Sequence, residues 1–429
     1  MNEFLSRVIG LETSRKVLTF SAAALFAISS SAQQIPSYSW HQLNDLFLQS
    51  NPTLRAQEQS IVSNKASEVT AAARPNPTLQ NDTTSATIGI YQEFEIGRKR
   101  EARIRSAKLA TQISQTDAAD MRRTLTLNLR QAFVAALQAK SDLQFARENL
   151  VNYQHTVDLN REMLQAGQIA RADFLRVQLQ TLQFETDLDD ATLALKTAKV
   201  TLRGLLGSAN LPEDFDVSGE LKAQPFDTKL DELRKLAVQN RPDLKSAEIG
   251  RLKAAADVRG AEANRWPDPT IGTSFLHTGN EMPGPQWFEP FYPKGSTSNA
   301  MGLGFASIQI PIFNRNQGEI ARTKSEQLRS DFLSQAAHDQ VIQDVDSAYA
   351  QFDSARNRLN LYEKTYLDAA RESLDIEDFS FHKGGASVLD FLDAERTYRA
   401  TRLAYHQQLA AYLNALAQLR SAAGLDVGP

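Results

Sequence analysis

The hydrophobic positions of this chain change period along its length, and they do so twice in the same order. Residues 40–73 carry a helical pattern that Pro75 and Pro77 stop. Strict alternation follows: Ile88, Ile90, Gln92, Phe94 and Ile96 fall on one side, with Gly89, Tyr91, Glu93 and Glu95 on the other. That is the period of a strand with two unlike faces, and a weaker strand precedes it near residues 78–83. From 98 to 166 nothing breaks a helix; a tight turn at Gly167 and a helix over 173–207 close the unit. In the second half Ile271, Thr273 and Phe275 alternate with Gly272, Ser274 and Leu276, and residues 301–310 complete the hairpin. Residues 317–383 are again free of breakers and end at Gly384 and Gly385.

The two halves share sequence as well as period. Gly167, Asp173, Phe174, Leu175 and Gly207 line up with Gly384, Asp390, Phe391, Leu392 and Gly424 at a constant offset of 217. Asn51-Pro52-Thr53-Leu54 answers Arg241-Pro242-Asp243-Leu244, and Arg74-Pro75-Asn76-Pro77 answers Trp266-Pro267-Asp268-Pro269. The extra length lies mainly in an aromatic loop between His277 and Asn299. A duplicated half-chain is an architectural signal, and it divides the protein into repeats at 33–207 and 208–429.

The element lengths give this duplication a shape. Each long helix would run ~100 Å at 1.5 Å per residue, and each flanking helix about half of that. Such lengths suit a tall cylinder in which one long helix lies beside two short ones stacked end to end. A seven-residue period supports the packing: Phe174, Thr181, Leu188, Leu195 and Leu202 recur with Val177, Phe184, Ala191, Ala198 and Leu205 three residues on. Phe391, Tyr398, Tyr405, Tyr412 and Leu419 repeat the first series, which indicates coiled-coil packing.

Composition narrows the setting. A net charge of −4 offers no basic field, and no basic patch is interleaved with aromatics, so nucleic acid is not an expected partner. Arg15 and Lys16 precede an apolar run over 17–28 and the small residues Ser30-Ser31-Ala32, which read as a signal peptide at 1–32. The run is shorter than the ~20 residues that a membrane-spanning helix needs. With no Cys, neither disulfides nor a lipidated cysteine is available. An exported chain of this kind is soluble, or it enters a membrane as strands.

Four strands are too few for a membrane barrel, since the smallest have about eight, and an open sheet leaves its edges unpaired in lipid. If the strands enter a membrane, several copies must share one barrel; three copies would supply twelve strands. The competing reading is a helical protein with two small sheets. The six His residues form no close-spaced ligand pair, and there is no phosphate loop or nucleophile elbow, so no enzyme activity, metal site or cofactor is expected.

The repeat order, the Asn-Pro and Arg-Pro starts, residues Gly167-Gln168-Ile169-Ala170-Arg171-Ala172-Asp173, and above all the segment from Gly384-Gly385-Ala386-Ser387 through Asp390 to Asp393-Ala394 resemble the TolC-type outer-membrane efflux factors. The segments around Phe94-Glu95-Ile96-Gly97-Arg98 and Ile310-Pro311-Ile312-Phe313-Asn314 are most similar to the CzcC-type, heavy-metal branch. The resemblance implies a mainly α homotrimer with a small transmembrane β part: a twelve-stranded barrel in outer-membrane lipid above a helical barrel in the periplasm. It further implies a passive exit duct for metal cations or small toxic compounds, working with a periplasmic adaptor and an inner-membrane pump. A type I secretion channel, or a periplasmic coiled-coil adaptor, is the alternative.

The resemblance also implies residue roles. Gly167, Gly384 and Gly385 would form the periplasmic tips that an adaptor grips, and Asp390 and Asp393 the pore constriction. Asp173 would belong to the gate, but the positions that pair with it in the family are Phe381 and Ala386 here, which can make neither polar contact. His382, Lys383 and Arg171 are the candidate substitutes. Trp287, Phe288, Phe291 and Tyr292 would lie on the outer face, either at lipid headgroups or in a self-packed loop.

Overall fold

The computed structural model describes residues 35–82, 87–207, 210–276 and 300–428. The expected signal segment at 1–32 and the residues Trp287, Phe288, Phe291 and Tyr292 lie outside the described residues. The first repeat contains strand β1 (Ser37–Tyr38), helices α1 (Trp40–Ser50) and α2 (Pro52–Ala72), strands β2 (Thr78–Asp82) and β3 (Thr87–Glu93), and helices α3 (Lys99–Gln165) and α4 (Arg171–Leu206). The second contains strand β4 (Asp216–Val217), helices α5 (Leu230–Asn240) and α6 (Pro242–Ala263), strands β5 (Pro269–Leu276) and β6 (Ala300–Ile308), and helix α7 (Gln317–Leu361). A π-helical turn (Tyr362–Tyr366) joins α7 to α8 (Leu367–His382), and α9 (Val388–Ala422) ends the fold.

Two expected helices are interrupted. The pattern over 40–73 is broken at Asn51, whose ψ of 120° is extended, because the ring of Pro52 disfavours helical backbone in the residue before it. Asn51 then serves as a cap: its Oδ1 accepts from the N–H of Thr53 and Leu54 at 2.9 and 3.1 Å. The helix expected over 317–383 widens into the π-helical turn, whereas α3 runs without a break for 67 residues.

Equivalent residues of the repeats make equivalent long-range contacts. Asn51 Nδ2 donates to the carbonyl of Leu205 at the end of α4. Its counterpart Arg241 reaches the carbonyl of Ala422, which stands at the matching place in α9, and its guanidinium also binds Asp243 and Asp344. Each cap thus fixes the end of the lower short helix against the start of the upper one. Between them β1 and β4 form a small parallel sheet, held to the helices where Lys140 of α3 and Lys199 of α4 meet Asp216.

The heptad series of α4 is the covered face of that helix: Val177, Phe184 and Leu202 are buried and the other seven positions half-buried. α3 packs against α2 and α6 along its upper part and against α4 and α9 along its lower part. α7 lies beside α6 and α9, and α8 beside α9.

β2, β3, β5 and β6 form one antiparallel sheet in that order. Register places Leu79, Ile88, Ile90, Ile271, Phe275 and Ile308 on one face, and all six are exposed. The other face carries Gln80, Gly89, Tyr91, Glu93, Thr270, Gly272 and Ser274. Tyr91 pairs with Gly272 and its ring lies over both glycines; a Cβ on Gly272 would meet it at 2.3 Å and one on Gly89 at 2.7 Å. An aromatic ring thus covers backbone that two glycines would leave bare. Among the described residues β2 and β6 are open edges within one chain.

Candidate functional site

The turns after α3 and α8 close in the same way. Gly167 and Gly384 adopt φ of +71° and +76°, and the next residues donate back across the helix end, Gln168 to Met163 and Gly385 to Ser380. Both are Schellman motifs, and the left-handed backbone is what requires glycine there. A Cβ at Gly384 would meet nothing within 4 Å, so conformation and not space is the constraint. Gly385 has no positive φ, and a Cβ there would make ordinary contact with the Ser380 carbonyl.

The tip has a shared apolar core. Tyr153 and Val157 of α3, Val177 and Phe184 of α4, Phe381 of α8, and Val388 and Phe391 of α9 are buried together. Phe381 stacks on Phe391 at 5.4 Å, and Tyr153 on Phe184 at 4.2 Å. Phe381 is therefore a core residue that joins the two hairpins. Ala386 packs beside it, half-buried.

The acidic residues of the tip are not alike. Asp390 completes a capping box at the start of α9, accepting from the Ser387 hydroxyl at 2.7 Å and backbone N–H at 3.2 Å. Asp393 pairs with Arg396, and Asp173 with Arg176 at 3.1 Å. All three are held within their own helix or its cap. The candidate substitutes do not reach Asp173 within one chain: His382 Nδ1 lies 2.7 Å from the Asp378 carbonyl, Lys383 stands over the Phe379 ring, and Arg171 is exposed.

Above the tip the structure assembles a buried polar cluster that the periodicity does not reveal. Arg399 of α9 meets Asp187 of α4 at 3.1 Å and lies over the Phe184 ring at 4.7 Å. His406 Nδ1 lies 2.7 Å from Asp142 of α3. Glu395 has a buried oxygen without a hydrogen-bond partner, and burial pushes its carboxyl up to about 7, with Asp187 adding to the rise and Arg399 opposing it. A cavity of about 40 Å³ opens among Asp142, Asn149, Phe184, Asp187 and Arg399. Residues 395, 399, 402 and 406 share one helical stripe, and that spacing was the available signal. It runs beside the heptad seam and is masked by it. Among the described residues no three potential metal ligands converge, and no helix is long and apolar enough to cross a membrane.

The fold thus sets a four-stranded sheet with one exposed apolar face on long helices, of which α3 alone spans ~100 Å. The sequence profile of the family described as "Outer membrane efflux protein" matches residues 43–208 and 233–425, and the chain belongs to that family. The cobalt-zinc-cadmium resistance protein CzcC of Cupriavidus metallidurans is 24% identical over 367 residues, covering 83% of this chain and 82% of the relative. The pyoverdine export outer membrane protein OpmQ of Pseudomonas aeruginosa is 24% identical over 382 residues, covering 87% and 75%. A solved structure of CusC superposes with a TM-score of 0.73 at 18% identity, over 94% of this chain and 96% of that one, which is a likeness of fold.

Proposed function

We propose that three copies of this chain form the outer-membrane exit duct of a tripartite efflux system. The sheet carries this reading. It has an exposed apolar face, a polar opposite face and, among the described residues, two open edges, and open edges in lipid cost several kcal/mol per unpaired group. Cyclic assembly of three copies turns four strands into a closed barrel of about twelve, with the polar face and Tyr91 inside. The helices below would then form the periplasmic conduit. The tips at Gly167 and Gly384 would meet a periplasmic adaptor, and through it an inner-membrane pump. The relation to CzcC favours metal cations or other small toxic compounds as cargo.

In the closed assembly Asp390 and Asp393 line the pore at its periplasmic constriction, where carboxylate rings draw cations and repel anions. Energy comes from the pump, and this chain supplies the path. Detergent-extracted protein inserted into a planar lipid bilayer should conduct ions in discrete steps. Deleting the gene should lower tolerance to zinc, cobalt or copper. Protein that shows no conductance would refute the channel; unchanged tolerance to all three metals would refute the metal cargo.

A further inference from the structure

The two aspartates at the start of α9 stand in different electrostatic company. Asp390 is held by the Ser387 hydroxyl and backbone N–H, which orient its carboxylate but leave its charge uncompensated. Asp393 is paired with Arg396, one turn further along. The first repeat offers a comparison: Asp173, which aligns with Asp390, is itself paired with Arg176. Each short helix therefore opens with one Asp–Arg pair, and Asp390 is the carboxylate left over.

Arg396 lies on the same side of the helix as both aspartates. The exposed stripe of α9 includes Asp390, Asp393, Arg396, Thr397, Ala400 and Gln407, and its charge is confined to the first three. The remaining charged residues, Glu395, Arg399, Arg402 and Arg420, are buried or half-buried on the covered side. Any ion that passes the aspartates also passes Arg396. An Asp–Arg pair acts on such an ion as a dipole, whose field decays faster than that of a lone charge. Asp390 remains a full negative charge within a Debye length of ~8–10 Å.

We infer that Arg396 is a selectivity-determining residue of the channel, cancelling the Asp393 ring so that Asp390 alone sets the net charge of the constriction. This rests on the reading that α9 lines the pore. The Asp393–Arg396 pair is exposed, and exposed pairs contribute little to stability. Removing Arg396 therefore changes the field and leaves the fold intact.

Reversal potentials measured across a KCl gradient with the full-length assembled protein in planar bilayers separate the two claims. Asp390→Asn should lower the K⁺-to-Cl⁻ permeability ratio by about twofold or more, and Arg396→Gln should raise it by about twofold. Asp393→Asn should shift it toward Cl⁻ by leaving Arg396 unopposed, and the double variant Asp393→Asn with Arg396→Gln should return it to the wild-type value. If Asp390→Asn moves the ratio while Arg396→Gln does not, the role of Arg396 is refuted and the constriction stands. If no variant moves the ratio, the constriction reading fails and the inference falls with it.

Discussion

Glu395 shows how burial sets the behaviour of a single residue in this protein. Its carboxyl is raised from 4.5 to about 7, chiefly by desolvation, so the folded protein holds a proton that the unfolded chain releases at lower pH. Stability from this group is thus fullest below pH ~4.5 and is lost as pH rises through ~7. Glu395→Gln should raise the thermal midpoint at pH 8, by the equivalent of about 1–3 kcal/mol, and leave it unchanged near pH 4. An equal effect at both pH values would refute the assignment. The tip glycines offer a second contrast. Gly384→Ala forces φ of +76° on a residue with a Cβ and should cost about 1–2 kcal/mol, whereas Gly385→Ala should be nearly neutral; thermal melts of the two variants check this. The polar stripe of α9 was hidden in the sequence because Arg399 and His406 are charged or titratable residues beside an apolar seam, and only the approach of Asp187 and Asp142 shows that they are buried.

At the scale of elements, the long helices were legible because nothing breaks them, and α4, α9 and the strands because periods of seven and two residues persist along them. The interruptions were not. Asn51 had a signal in Pro52, yet the helical pattern continues across it; the π-helical turn at Tyr362–Tyr366 has no proline or glycine to mark it. The starts of α3 and α7 carry a further constraint, since their caps Arg98 and Asn316 both adopt left-handed backbone, with φ of 63° and 61°. Asn adopts that conformation at lower cost than Arg. Arg98→Asn should therefore stabilise the protein by about 0.5–1 kcal/mol, measured as a rise in unfolding midpoint. The ion pair it removes, Arg98 with Glu101 at 3.9 Å, is largely exposed and offsets little of this.

For the whole molecule, the duplication explains both the shape and the places where shape gives way to function. Asn51 and Arg241 anchor matching helix ends by different chemistry, so the repeat conserves a contact while its residues differ. The tips diverge further, since Asp393 of α9 stands where α4 has Arg176. That contrast was readable from the alignment of the halves. The pairing that changes its meaning, Asp393 with Arg396, needed the folded helix. The sheet is the part left incomplete in one chain, because among the described residues β2 and β6 have no partners on their outer edges. The molar mass of the detergent-extracted particle, measured by light scattering with the detergent contribution subtracted, tests cyclic closure most directly. Three chains per particle is the predicted result, and a monomer that remains dispersed in buffer without detergent would contradict it.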